Sequence, residues 1–221
     1  MATLYVVATP IGNLKDITLR AIETLQSVDV VLAEDTRVAR KLLSHLGIQK
    51  SVIAYHEHTT PGQMEKTLEL IKEKDTALIT DAGTPAISDP GQRLIQALLE
   101  ADVRIVPIPG PSALTAILSV SDIDTSEFMF LGFAPHKKGR QTFFKRVAAS
   151  DIPTVLFESP HRIEKTLHEL LSVAGDRRVT VGRELTKIYE EVFRGSISEA
   201  QKYFVGEKIR GEFVMVVDIA H

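Results

Sequence analysis

The chain has 221 residues, a formal net charge of −3 and no cysteine. This charge excludes a polycation that binds nucleic acid over its whole surface, and the lack of cysteine excludes disulfides and thiolate metal sites. No apolar run approaches the roughly 20 residues that a membrane helix needs, and the N-terminus lacks the basic-then-apolar layout of a signal peptide. We therefore expect a soluble, cytoplasmic protein without a membrane partner, built as one large domain or two small ones.

Short apolar runs alternate with helical periodicity through the first half of the chain. The strands predicted there cover residues 4–8, 28–33, 52–55, 77–80 and 103–108. The helices predicted there cover residues 17–27, 38–46, 64–74, a segment that begins near 92, and 113–120. Such alternation favours a mainly parallel sheet covered by helices.

The pattern changes at residues 122–127, which are polar and irregular. The strands predicted after this segment cover residues 128–133, 154–158, 179–183, 190–195 and 212–219, and the helices cover 164–173 and 198–203. We therefore predict two α/β domains, residues 1–121 with a mainly parallel sheet and residues 122–221 with a mixed sheet. Clefts between domains are common ligand sites, so we expect a ligand cleft between these two.

The most informative segment is LITDAGTPAISDPG, residues 78–91. An apolar run ends at Asp81, and the following loop holds glycine and proline in place of bulky side chains. Gly83 allows the backbone to approach a ligand closely, while prolines fix the path of the loop. A plain strand-to-helix connection is the alternative, but a second tight turn, PGPS at residues 109–112, follows the next strand.

Polar residues follow the predicted strands at five places. They are Thr9, the segment Glu34-Asp35-Thr36-Arg37, the segment His56-Glu57-His58, Asp81 and Ser112. Strands that neighbour one another in one sheet would bring these residues onto one edge. Asp35 has the alternative of capping the helix that follows it. A metal site at the two histidines is disfavoured because residues i and i+2 of a strand point to opposite faces.

Residues 131–150 carry a local excess of positive charge and no acidic residue. The cations are Lys137, Lys138, Arg140, Lys145 and Arg146. Such a segment can hold an RNA backbone, since phosphate contacts supply much of the affinity for nucleic acid. The alternative is a solvated helix whose two phenylalanines, Phe143 and Phe144, pack into the core.

Several segments, in order, resemble the tetrapyrrole-methylase superfamily, and within it the branch that methylates small-subunit ribosomal RNA. They are LYVVATPIGNLKDIT, VVLAEDTR, DAGTPAISDPG, PIPGPSA, LGFAPHKKGR, FESPHR and GRELTKIYEE. The resemblance covers nearly the whole chain. It implies two α/β domains with S-adenosyl-L-methionine in the cleft, and transfer of its methyl group to the 2′-hydroxyl of a cytidine in 16S rRNA.

The resemblance also implies which residues contact the methyl donor. They are Pro10, Asp81, Gly83, Thr84, Ala86, Ile87, Ser112, Ala113, Phe157, Glu184 and Phe213. Asp81 would favour the sulfonium cation electrostatically, or would instead cap the turn that follows it. Thr84 stands where the porphyrin branch has an aspartate, which weakens a tetrapyrrole substrate. A homodimer is common in the superfamily and is a possible state of this chain.

Methyl transfer to a ribose hydroxyl is helped by a base that accepts the proton late in the reaction. The catalytic residues that we expect are Glu34, Asp35, Arg37, His56 and Glu57. Arg37 has the role of a phosphate clamp among them, with a surface ion pair as its alternative. Two other functions stay open: a methyltransferase of the same fold that acts on a tetrapyrrole or another small molecule, and a non-catalytic module that binds S-adenosylmethionine or RNA.

Overall fold

The computed structural model describes residues 2–56, 58–89 and 91–220. These divide into two compact units, Met1–Ser112 and Ala113–His221. The division falls before residues 113–119, whereas the sequence predicts the domain junction after them. The helix of those residues packs against two strands of the second unit, and this contact places it there.

The first unit alternates strands and helices, as the sequence predicts. Its strands are β1 (Thr3–Val7), β2 (Val30–Ala33), β3 (Ser51–Ala54), β4 (Thr76–Ile79) and β5 (Arg104–Ile108). Its helices are α1 (Leu19–Ser27), α2 (Thr36–His45), α3 (Pro61–Glu73) and α4 (Gly91–Glu100). All strand pairs are parallel, in the order β3-β2-β4-β1-β5. The expected parallel sheet is therefore confirmed.

Apolar side chains cover both faces of this sheet. One cluster packs α1 and α2 against the strands through residues such as Leu25 and Leu43. The other packs α3 and α4 through Ile71 and Leu94. The central strands β1, β2 and β4 are almost entirely buried, and such strands form the continuous apolar runs by which they are recognised in the sequence.

The second unit contains a mixed sheet in the order β6-β7-β10-β8-β9. Its strands are β6 (Met129–Phe133), β7 (Thr154–Glu158), β8 (Arg178–Arg183), β9 (Glu191–Ser196) and β10 (Phe213–Val217). Its helices are α5 (Ala113–Ser119), α6 (Arg140–Ala148), α7 (Ile163–Ala174) and α8 (Ile197–Tyr203). Only β6 and β7 pair in parallel, and β9 pairs antiparallel with β8 as predicted.

Helices α6, α7 and α8 cover one face of the second sheet, with Phe144 fully buried among them. Helix α5 covers the other face through Ile117. The basic segment therefore does form a helix with Phe144 in the core. Within the described ranges, no helix combines the length and apolar character that a membrane crossing requires.

Candidate active site

The first sheet has a topological switch point between β1 and β4. These strands are neighbours, but the chain leaves β1 toward α1 on one face and leaves β4 toward α4 on the other. A crevice opens at the carboxyl ends of such a strand pair, and open α/β sheets bind ligands there. The topology therefore places the candidate site at the loops that follow β1 and β4.

The loops after β1 and β4 are joined by their backbones at this point. Thr9 and Gly83 form an isolated antiparallel bridge, in which each amide donates to the other carbonyl at 2.9 and 3.0 Å. The buried hydroxyl of Thr9 also donates to the carbonyl of Thr80 at 3.1 Å. The start of the glycine- and proline-rich loop is thereby fixed to the first strand. Pro10, expected near the donor, follows directly.

Glycines allow this close approach. Gly83 has a φ of +85°, in the left-handed region that favours glycine. A Cβ placed on Gly110, in the turn after β5, would lie 3.0 Å from the Cβ of Ala8. The hydroxyl of Thr84 reaches this turn as well and donates to the carbonyl of Pro111 at 3.3 Å. The loops after β1, β4 and β5 thus meet as the sequence predicts.

The loop then turns sharply and becomes exposed at Ile87 and Ser88. Ala86 and Ser88 have φ values of +67° and +82°, which are strained for residues other than glycine. A hydrogen-bonded turn spans Pro85 and Ala86, and the residues that follow it, Ile87 and Ser88, are exposed. An exposed loop of this kind suits the amino-acid head group and ribose of S-adenosylmethionine, so the residues present fit this donor.

Asp81 and Asp35 both have defined partners at the edge of the sheet. The amide of Asp35 donates to a carboxylate oxygen of Asp81 at 3.1 Å, so Asp81 does not cap its own turn. Asp35 caps α2, as the alternative reading predicts, by accepting from the amide of Arg37 at 2.8 Å. The guanidinium of Arg37 also donates to Asp35 and holds the pKa of that carboxyl at about 2. Arg37 nonetheless exposes 84% of its side chain.

Two further carboxyl side chains, those of Glu34 and Asp89, lie near Asp81. The hydroxyl of Thr80 donates to Glu34 at 3.1 Å, and Thr80 also forms a side-chain hydrogen bond with Asp89. Partial burial, together with the charges of Glu34 and Asp81, raises the pKa of Asp89 to about 6. Loss of hydration also raises the pKa of Asp81. A carboxyl with a pKa of about 6, such as that of Asp89, can accept and release a proton near neutral pH.

Sequence reasoning placed Glu34 at this edge but did not select Asp89 or Thr80. The available signal was that Asp89 lies in the same glycine- and proline-rich loop as Asp81. Nothing in the spacing showed that the loop would fold back so that Asp89 approaches Thr80.

His56 follows β3 at the far end of the same sheet edge. Its amide donates to the hydroxyl of Thr59, and its ring lies 6.1 Å from that of His58. The Nδ1 atom of His56 is buried and has no partner within the described residues. Glu57, the other catalytic residue expected here, lies outside the described residues. In the described part of the chain, no group of three or more His, Cys, Asp or Glu is arranged to hold a metal ion.

The three expected donor contacts of the second unit do not share one surface. Phe157 is half-buried and packs on the face covered by α5, whereas Phe213 is 3% exposed and packs in the opposite core against Phe204. Phe157 and Phe213, both expected as donor contacts, therefore lie on opposite faces of the second sheet. The carboxylate of Glu184 already has partners within the second unit, because it accepts hydrogen bonds from Lys187 and from the amide of Glu212.

Of the five expected RNA-contact residues, four are exposed and one is buried. Lys137, Lys138, Lys145 and Arg146 are exposed. Arg140 is only 5% exposed, and its guanidinium donates to Glu169 at 2.6 Å and to Thr166 at 2.7 Å. The expectation that Arg140 holds a phosphate is corrected, because its donors are already used inside the unit.

Comparison with known proteins agrees with this geometry. Residues 3–201 match the family described as Tetrapyrrole (Corrin/Porphyrin) Methylases. The chain is 42% identical over 218 residues to the ribosomal RNA small subunit methyltransferase I of Thermotoga maritima, and the alignment covers 98% of each protein. It is 45% identical over 220 residues to the protein of that name from Synechocystis, covering 98% of this chain and 79% of the other.

Among solved structures, a diphthine synthase superposes with a TM-score of 0.77 at 18% identity, covering 99% of this chain and 90% of that one. This likeness shows the fold alone. Because the family model matches residues 3–201, the chain belongs to the tetrapyrrole methylase family. Its relatives at 42% and 45% identity within that family carry the name ribosomal RNA small subunit methyltransferase I.

Proposed function

We propose that this chain is an S-adenosylmethionine-dependent methyltransferase that modifies small-subunit ribosomal RNA at the 2′-hydroxyl of a cytidine ribose. The observation that carries the proposal is the glycine- and proline-rich loop at the β1/β4 switch point, exposed at Ile87 and Ser88, in a chain whose relatives are rRNA methyltransferases. S-adenosylmethionine supplies an electrophilic methyl group on a sulfonium.

The donor is held chiefly by main-chain groups of the first unit. The residues that we assign to it are Pro10, Asp81, Gly83, Thr84, Ala86 and Ile87, with Ser112 and Ala113 after β5. Asp81 places negative charge where a sulfonium is bound, which favours the cation over a neutral thioether. Phe157, a further donor contact that the resemblance implies, lies on the face of the second sheet that α5 covers, whereas Phe213 is buried on the other face.

The target hydroxyl needs a proton acceptor as its oxygen bonds to the methyl carbon. The carboxylates that meet at Thr80, namely Glu34 and Asp89, are the groups that we assign to this role. A base with a pKa near 6 is largely ionised at neutral pH and still basic enough to share a proton in the transition state. His56, at the same sheet edge, and Glu57, which lies outside the described residues, are the further candidates. Arg37 faces solvent and is available to one RNA phosphate.

The RNA backbone is held by exposed cations of the second unit. Lys137, Lys138, Lys145 and Arg146 remain in this assignment after Arg140 is removed from it. We place the reaction in the cytoplasm, where ribosomal subunits are found. A homodimer is part of the proposal, and light scattering of the purified chain at several concentrations tests it separately.

Transfer of a labelled methyl group tests the function directly. Purified chain is incubated with labelled S-adenosylmethionine and one of three acceptors: small ribosomal subunits, naked small-subunit rRNA, or a porphyrinogen. We expect label in the rRNA of at least one of the first two and none in the porphyrinogen. Label in the porphyrinogen alone would assign the second function, and donor binding without any transfer would assign a non-catalytic module.

A further inference from the structure

An exposed aromatic side chain ends β6 in the second unit. Phe133 is 51% exposed, yet its ring lies 5.5 Å from that of Phe157, which in turn lies 5.0 Å from Phe130. We call these three residues the aromatic shelf. Edge-to-face contacts support the ring of Phe133 from one side and leave the rest of it open to solvent.

A β-bulge aims Phe133 at this position. The register between β6 and β7 shifts between Phe130 and Gly132, and Phe133 is then paired with Phe157. Gly132 has a φ of +63°, which any other residue would adopt at a cost. Bulges commonly re-aim a side chain near a functional surface. Without the shift, Phe133 would lie on the opposite face of the strand.

Two internal arginines hold the chain directly after Phe133. Arg162 donates to the carbonyl of Ala134 at 2.8 Å, and Arg140 donates to the carbonyl of Pro135 at 3.1 Å. Each arginine is itself paired with a carboxylate, Arg162 with Glu158 at 2.8 Å and Arg140 with Glu169 at 2.6 Å. The segment is therefore held in one conformation, and a ligand that binds to it does not have to order it first.

The segment presents two lysine cations to solvent. His136, Lys137 and Lys138 are all exposed, and residues 131–150 contain no acidic residue. An exposed aromatic ring next to a basic tip is the combination with which proteins hold single-stranded nucleic acid, through base stacking and phosphate contacts. The exposed ring beside the basic tip favours RNA over an acidic protein surface, because such a surface matches the charge but offers no base to stack on Phe133.

We propose that the aromatic shelf and the basic tip, residues 136–138, form a binding surface for single-stranded RNA. A base stacks on Phe133, and neighbouring phosphates contact Lys137 and Lys138. Arg140 and Arg162 are positioning residues that act through the backbone of the tip. The identity of the RNA rests on the proposed function, whereas stacking on Phe133 does not depend on methyl transfer.

Binding of a short oligocytidine of about ten nucleotides, without donor, tests this surface. Fluorescence anisotropy compares the wild-type chain with Phe133→Ala, Phe133→Tyr and, as the matched control, Phe128→Ala. Phe128 is an exposed phenylalanine just before β6, at the opposite end of the strand from Phe133. A duplex RNA of the same length is titrated in parallel, and circular dichroism verifies that each variant is folded.

Loss of one stacked base weakens binding by about fivefold to a hundredfold. We expect that loss for Phe133→Ala with the single strand, recovery for Phe133→Tyr, little change for Phe128→Ala, and weaker duplex binding throughout. Equal affinity of Phe133→Ala and wild type would overturn the proposal. Loss of S-adenosylmethionine binding with unchanged RNA binding would assign the shelf to the donor's adenine. Failure of methyl transfer with stacking intact would overturn only the proposed function.

Discussion

The backbone amide of Asp35 donates a hydrogen bond to the carboxylate of Asp81 across 3.1 Å. This contact ties the loop after β2 to the loop after β4, which follow adjacent strands of the parallel sheet. It holds the carboxylate at the edge where the donor is proposed to bind.

Asp81→Asn should weaken binding of S-adenosylmethionine by about tenfold, the size of one interaction with a charged group. The asparagine oxygen still accepts from Asp35, so the loop keeps its shape while the charge is lost. Calorimetric titration measures the affinity. Binding of S-adenosylhomocysteine, a neutral thioether, should change much less, and Glu100→Gln, at the opposite edge of the sheet, should change neither. Equal losses for both ligands would contradict the electrostatic role of Asp81.

Asp89 should make the stability of the chain depend on pH. Its pKa is about 6 in the folded state against 3.8 ordinarily, because of burial and the charges of Glu34 and Asp81. Between these two values the folded state binds a proton that the unfolded state has released, so this group lowers stability as the pH rises through that window. The loss is complete above the folded-state pKa.

Asp89→Asn should therefore raise the thermal unfolding midpoint at about pH 7, with the gain disappearing as the pH falls below 3.8, where the wild-type carboxyl becomes protonated in both states. Calorimetric scans at a series of pH values measure this. Methyl transfer should fall strongly in the same variant if Asp89 accepts the proton. If the variant gains no stability at neutral pH, then ionisation of Asp89 does not destabilise the folded state.

Gly110→Ala should destabilise the chain by about 1–3 kcal/mol, as overpacking commonly does. The new Cβ would lie 3.0 Å from that of Ala8, so the turn after β5 must move away from β1. Gly62→Ala is the matched control, since no heavy atom lies within 4 Å of its added Cβ and the site is inside α3. This control should gain about 0.5–1 kcal/mol. Urea denaturation measures both, and equal behaviour of the two variants would contradict the close approach.

Arg140 and its exposed neighbours should separate stability from RNA binding. Arg140→Met removes the shorter of the two ion pairs of Glu169, which also pairs with Lys165, and should cost about 2–3 kcal/mol of unfolding free energy. The double variant Lys137→Ala/Lys138→Ala should keep its stability while the salt slope of single-stranded RNA binding falls by about 1.4. Denaturation and anisotropy at several salt concentrations measure the two effects. An unchanged slope would remove both lysines from the RNA surface.

Strand positions and the nature of each sheet could be predicted because apolar runs record burial. The β4 loop could be singled out because glycine and proline constrain a backbone in known ways. The burial of Arg140 could not be predicted, since a cation in a basic segment reads as solvent-exposed until Glu169, 29 residues further along, is brought against it. The opposite faces of Phe157 and Phe213 depend on strand register, which single-sequence patterns do not fix between distant strands.

The domain junction also could not be predicted from local sequence, because it depends on which unit helix α5 packs against. Its apolar residues predict a helix, but only the packing of Ile117 against β10 and β8 decides which unit it joins. The role of Asp89 likewise depends on the positive φ values of Ala86 and Ser88, which no local rule assigns to alanine or serine.

The most direct test of the proposed reaction compares rRNA from cells that contain the gene with rRNA from cells that lack it. Small-subunit rRNA is digested to nucleosides and oligonucleotides, and mass spectrometry maps every methyl group. The account predicts the loss of one methyl from the ribose of one cytidine, restored when the wild-type gene is returned. Identical methyl maps from the two strains, or a methyl lost from a base and not from a ribose, would contradict it.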